Sequence, residues 1–467
     1  MQHSLQSYMS TRLITLVTAL WLFGATIGAT AQADEANKPA ALPQYVIDIF
    51  GEPPQVPTGP LSDDIVKAMD TAFNRDLQTT GWRKEHTAAV EVLGNSGDPR
   101  VAWLLSDMLR LANSRELADI LQKPVAKLLN IEFERNDYWH ETTDTLMAWD
   151  IPAPPNYLKY KRNIYTLIEP AWEDLFVEGD IDWRHVSWGG VLIDNRPFDT
   201  TDEPCNCIPA ADNPEVTSAS DASWLSDDAI VFGVEVNGEY RAYPRRIMEV
   251  REMVNDTLGG RDLGIPYCTL CGAAQAYFTD ELPEGIERPV LRTSGLLIRS
   301  NKVMYDLTSL SVLDTFKGSA VTGPLAAKGI KLKQAGVVTT DWKSWKEAHP
   351  ETTVLAESLA LGRDFDFRNN RDANGPIFPI GDVDPRLPVQ EDIVGLVTAS
   401  GKPIAFQLSV ALAALNKGDA VEYENVRLVK AGSGVKAVDA KGADLGGHQA
   451  FWFAWSQFYP ETELWQM

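Results

Sequence analysis

Between about Asp48 and Gly179 the apolar residues recur at helical spacing. Ser62-Asp63-Asp64 reads as an N-cap, because short oxygen-bearing side chains satisfy the free amides of a helix's first turn. Ile65, Met69 and Phe73 follow at intervals of four, which places them on one helix face. A second run, His86 to Leu93, stops at Gly94-Asn95-Ser96-Gly97-Asp98-Pro99. A third, Arg100 to Ala112, carries Val101, Leu104, Leu105, Met108 and Leu111. Trp139, His140, Trp149 and Trp172 read as core or interface aromatics, since large rings dominate buried contacts.

Pro152 to Pro155 interrupts this pattern, and after Gly179 the period shortens. Val234, Val236, Tyr240 and Ala242 alternate around Asn237-Gly238, the signature of a tight hairpin from Ile230 to Tyr243. Arg245 to Val254 reads as a short helix. Val290 to Asp306 reads as a further strand pair bending at Gly295 and Ser300-Asn301. An echo runs through the region: Trp342-x-x-Trp345 before Pro350-Glu351-Thr352 returns as Trp452-x-x-Trp455 before Pro460-Glu461-Thr462. The pattern therefore predicts an α+β chain. A helical N-terminal domain (34–185) resembles one unit of a HEAT-type repeat, though a small bundle explains it equally. Two related β-rich halves, 186–358 and 359–467, are expected to follow.

Residues 1–33 read as a signal peptide: Arg12 supplies the charge, Leu13 to Ile27 the apolar core, and Ala31-Gln32-Ala33 the cleavage site. The run is short for a membrane span of about 20 residues. The expected protein is thus periplasmic or secreted, with no membrane span after cleavage. Its 65 acidic and 42 basic residues exclude nucleic acid as a partner, because phosphates need clustered Lys and Arg. A protein partner docking on the helical region is the expected alternative, since stacked helices present concave surfaces.

The candidate chemistry lies in four cysteines forming two close pairs, Cys205/Cys207 and Cys268/Cys271. Pro204, Pro209 and Pro214 keep the first pair in an irregular loop. Gly272 lets the backbone fold tightly under the second. Three readings stand. Four thiolates could hold zinc or copper. Cys268-x-x-Cys271 could cycle between dithiol and disulfide. Both pairs could be structural bridges of an oxidising compartment, and the small ring of a Cys-x-Cys bridge argues against each pair closing on itself. Six histidines leave little for a His-rich centre, and His185 reads as structural. No Ser-His-Asp spacing or His-Glu-x-x-His motif is present, so whether the chain is an enzyme stays open.

From Val186 to Trp465 the chain resembles the bacterial DUF3179 family. The resemblance rests on Gly233-Val234-Glu235-Val236-Asn237-Gly238, Arg241-Ala242-Tyr243-Pro244, Val254-Asn255-Asp256, Tyr267-Cys268-Thr269-Leu270-Cys271-Gly272 and Phe451-Trp452-Phe453-Ala454-Trp455. It implies no reaction. Family members often carry Trp-His-Glu where this chain has Val250-Arg251-Glu252, and Pro where it has Thr269. The missing His weakens a mixed Cys/His metal site and removes a proton-transfer candidate.

Overall fold

The computed structural model describes residues 42–200, 204–357 and 375–466. The expected signal peptide, 1–33, lies outside them. Helices span Asp63–Ala72, Lys84–Asn95, Ala102–Leu111, Arg115–Leu129, Tyr138–Ala148 and Tyr157–Tyr165. Ser62 caps the first as its sequence indicates, its hydroxyl accepting from the Ile65 amide. At the Gly-Asp-Pro turn Asp98 accepts from the Arg100 amide and holds the Arg100 guanidinium at 2.6 Å. The apolar stripe of Ala102–Leu111 is buried through Trp103, Leu104, Leu105 and Met108. Asp107 on the same helix is also buried; it pairs with Lys161 at 2.6 Å and accepts from the Tyr157 and Tyr165 hydroxyls. A buried charge persists only when paired and hydrogen-bonded in this way.

Hydrogen bonds tie this helical region to the rest of the chain. The indole of Trp172 donates to the Ser294 carbonyl at 2.7 Å, and the Tyr165 hydroxyl to that of Val186. The Asp144 carboxylate accepts from the Ile380 and Gly381 amides. From Tyr45 onward the chain is one compact unit. Among the described residues no helix is long and apolar enough to cross a membrane.

After Val186 the described residues form five sheets. One runs Val186–Trp188, Leu291–Ile298, Asn301–Asp306, Val312–Asp314. A second runs Lys333–Ala335, Ala276–Phe278, Arg261–Cys268, Met253–Leu258, Ala211–Asp212, with Ala273–Ala274 folded back on Arg261–Cys268. A third runs Val337–Asp341, Ile230–Val236, Glu239–Pro244, Thr353–Leu355, Val216–Ser218. A fourth runs His448–Phe451, Asp392–Val397, Pro403–Gln407, Glu463–Trp465, and the last Val421–Tyr423, Val426–Ala431, Gly434–Val438. This five-bladed β arrangement corrects the expectation of two related β-rich halves. The physical reason is that strands pair across long sequence separations: Val186–Trp188 joins Leu291–Ile298, and Val337–Asp341 joins Ile230–Val236. Such pairing cannot be read from local alternation.

The Trp echo falls on two short helices, Trp342–Ala348 and Trp452–Phe458, each packed over one of the five sheets. Trp345 covers Gly233 and donates its indole N–H to Thr352; Trp455 covers Gly395 and donates to Thr462. The likeness concerns those two sheets and does not divide the region in two. The Asn237-Gly238 hairpin forms as its alternation indicates, both residues having positive φ, 52° and 82°.

Candidate functional site

Both cysteine pairs are disulfides, Cys205–Cys207 and Cys268–Cys271. Each pair therefore closes on itself, contrary to the expectation drawn from ring size. Cys268 ends the strand Arg261–Cys268, and the Cys271 amide donates back to the Cys268 carbonyl to make the turn. Gly272 continues it with φ +62°, facing the ring of Phe451. Phe451 in turn donates its amide to the Cys271 carbonyl, and Tyr267 donates its amide to the Glu252 carbonyl. The knuckle is thus pinned between two sheets. The residues after Cys271 continue as strands, so no helix starts directly after the second cysteine.

Cys268 lines a cavity of about 350 Å³. One wall is the strand Leu291–Ile298, whose register breaks between Thr293 and Leu297. Gly295 makes that bulge possible, with φ +77° and so little room that a Cβ would stand 2.4 Å from the Val191 carbonyl oxygen. Bulges recur beside functional sites because they re-aim side chains and stop pairing. The cavity's polar end holds an ion pair: Lys302 Nζ lies 2.6 Å from Glu252 Oε2 and also donates to the Glu252 carbonyl at 3.0 Å. Thr269 donates to Glu252 Oε1 at 3.2 Å. Glu252 has φ 49° as the C-cap of Arg245–Arg251, which turns its carboxylate away from the helix.

The other pair has different surroundings. Asp194, Cys205 and Cys207 bring ligand atoms within 4.8 Å of one another, a candidate metal-binding cluster. Cys268 and Cys271 are not part of it. Asp194 is fully buried and already engaged: Arg196 donates to both its oxygens at 2.7 and 2.8 Å, and the Ala210 amide donates at 2.9 Å. Arg292 stands 3.9 Å away and pairs with Asp212 at 2.5 Å. This charged chain fixes the loop that follows Cys207.

The turn residues noted in the sequence serve structure. Asn255 bonds both the Leu291 amide and carbonyl, Asp256 pairs with Arg241 and Tyr243, and Asp306 accepts from Val290 and Ser309 amides. Arg251 is buried against Glu357 at 2.5 Å. His185 is structural: burial, then the nearby Arg299 charge, holds it down to about 4. Sequence reasoning passed over Glu252 and Lys302 as chemistry. The available signal was a lysine directly ahead of the unbroken apolar run Val303-Met304-Tyr305, where a solvent-facing strand would alternate.

Residues 205–462, more than half of the chain, match the family described as "Protein of unknown function (DUF3179)", and the chain belongs to that family. The match begins at Cys205 and takes in all four cysteines. Among curated proteins and solved structures none matches.

Proposed function

We propose that the protein carries out thiol–disulfide exchange at Cys268–Cys271. The observation that supports this is the placement of Cys268 in a cavity shared with the buried Glu252–Lys302 pair. An incoming thiolate attacks Cys268 Sγ, the Cys268–Cys271 bond breaks, and Cys271 leaves as thiolate. A second thiol then resolves the mixed disulfide. Two electrons pass from the two thiols to the protein disulfide. Export through residues 1–33 belongs to this reading, because disulfides persist in an oxidising compartment.

The test is a glutathione redox titration followed by alkylation and peptide mass spectrometry. Cys268–Cys271 should titrate above the roughly −300 mV of inert structural bridges, and Cys271→Ser should accumulate a mixed disulfide on Cys268. A pair that stays oxidised throughout overturns the reading.

A second reading is favoured by the Asp194/Cys205/Cys207 cluster: once reduced, this pair binds a soft ion, zinc or copper. It replaces a single four-cysteine centre. Anaerobic metal titration of the reduced protein tests it. Uptake should survive Cys268→Ser/Cys271→Ser and be lost in Cys205→Ser/Cys207→Ser.

A further inference from the structure

The cavity also constrains which thiol can reach the disulfide, an inference that rests on the exchange reading above. Cys268 is 2% exposed and Cys271 not at all. Burial this deep works against a thiol carried on a folded polypeptide, and the cavity that Cys268 itself lines offers a small molecule a way in. The walls decide its character. Val191, Ile208, Leu270, Leu296, Val303 and Phe378 make the lining mainly apolar. Its two charged groups, Glu252 and Lys302, neutralise each other at 2.6 Å, and Thr269, next to Cys268 in the chain, donates to Glu252. A volume of about 350 Å³ falls at the small end of ligand-binding cavities, which span about 300 to 1,000 Å³.

A charged thiol such as a glutamyl-cysteinyl-glycine tripeptide would have to bring unpaired charges against those walls, which costs far more than hydrogen bonding to one neutralised pair returns. An uncharged thiol with an apolar body meets no such penalty. Its body lies against Leu296 and Val303, and its sulfur reaches the end where Cys268 stands. The bulge at Gly295 is what holds this wall open, and the Trp172 indole fixes the bulge from behind through the Ser294 carbonyl.

We propose that the cavity bounded by the Thr293–Leu297 bulge and the Cys268 knuckle is the binding site of an uncharged, apolar, low-molecular-weight thiol, the reductant of Cys268–Cys271. Two molecules of RSH become RSSR, losing two protons and two electrons. The protein disulfide takes up both electrons and two protons to become two thiols.

The experiment uses the full-length oxidised chain with 2-phenylethanethiol and glutathione at matched thiolate concentration. Reduction of each pair is followed separately by alkylation and peptide mass spectrometry. The apolar thiol should reduce Cys268–Cys271 at least tenfold faster than glutathione. Ile377→Trp at the cavity rim, a position 43% exposed, or Leu296→Phe within it should remove that preference. Equal rates, or faster reduction by glutathione, overturn the proposal. Calorimetry with 2-phenylethanol, which binds but cannot exchange, separates the two claims. Saturable binding of the alcohol with no reduction by either thiol overturns the exchange chemistry and keeps the cavity as an apolar site. Reduction by glutathione without alcohol binding keeps the exchange chemistry and overturns the cavity as its entry.

Discussion

Lys302 Nζ and Glu252 Oε2 meet at 2.6 Å with both side chains buried, one on the strand Asn301–Asp306 and the other at the end of the helix Arg245–Arg251. Removing one partner leaves the other as an uncompensated buried charge. Lys302→Met should therefore cost about 3–5 kcal/mol in urea unfolding. Lys302→Met/Glu252→Leu should be clearly more stable than that single variant, because apolar replacement of both partners is often nearly neutral. A double variant no better than the single would show that the pair is not a coupled unit.

Gly295 and Gly238 separate conformational strain from crowding. Both have positive φ, +77° and +82°, but only Gly295 has atoms in the way of a side chain. Gly238→Ala should cost about 1–2 kcal/mol, the left-handed penalty alone. Gly295→Ala should cost at least about 2 kcal/mol more, since the Val191 carbonyl must move, and it should abolish 2-phenylethanol binding. Thermal and urea unfolding of the two variants measure the difference.

Two histidines give pH slopes of opposite sign. Burial opposes charge on His140, but its contacts with Asp137 and Asp144 outweigh that and raise it to about 9. Its contribution to stability is whole below the unfolded value near 6.5 and is lost as pH rises to about 9. Burial lowers His448 to about 3; its contribution is whole above 6.5 and declines as pH falls toward 3. The stability gap between the parent and His140→Gln should accordingly shrink from pH 6 to pH 9. The gap between the parent and His448→Gln should shrink, or reverse, from pH 7 to pH 4. Flat differences in urea-unfolding series would remove the assigned roles.

Digestion of the unreduced protein between the pairs should release two peptides that each carry a closed bridge, Cys205–Cys207 and Cys268–Cys271. A covalent link joining the two peptides would contradict the arrangement.

Local patterns made local structure legible. Ser62 caps where its spacing places it, Asn237-Gly238 turns a hairpin, and Gly295 marks an irregular strand. The five sheets were not legible, because neighbours such as Ala211–Asp212 and Met253–Leu258, or Thr353–Leu355 and Glu239–Pro244, pair in parallel across long separations. The Trp echo reflected a likeness between two sheets that invited a division into halves. The knuckle at Cys268 was visible as a motif, yet its partners were hidden. Glu252 and Lys302 are 50 residues apart, and nothing in either segment announces the other. Asp194 was hidden behind an ordinary turn sequence, Asp194-Asn195-Arg196-Pro197.

Trp345 sits so close over Gly233 that a methyl group there would stand 2.2 Å from the ring, and Trp455 over Gly395 leaves 2.4 Å. Neither member of such a pair can drift alone. Enlarging the glycine drives the indole out of the core, and shrinking the indole opens a void above bare backbone that only a larger strand residue could fill. Acceptable change requires both positions to move in one step, because each single intermediate is poorly folded. Randomising one position at a time should return only the parent residues, whereas a paired library can find small-ring, large-strand solutions. The two sheets are in this sense isolated in sequence space: their surroundings can diverge while the glycine and the tryptophan wait for each other.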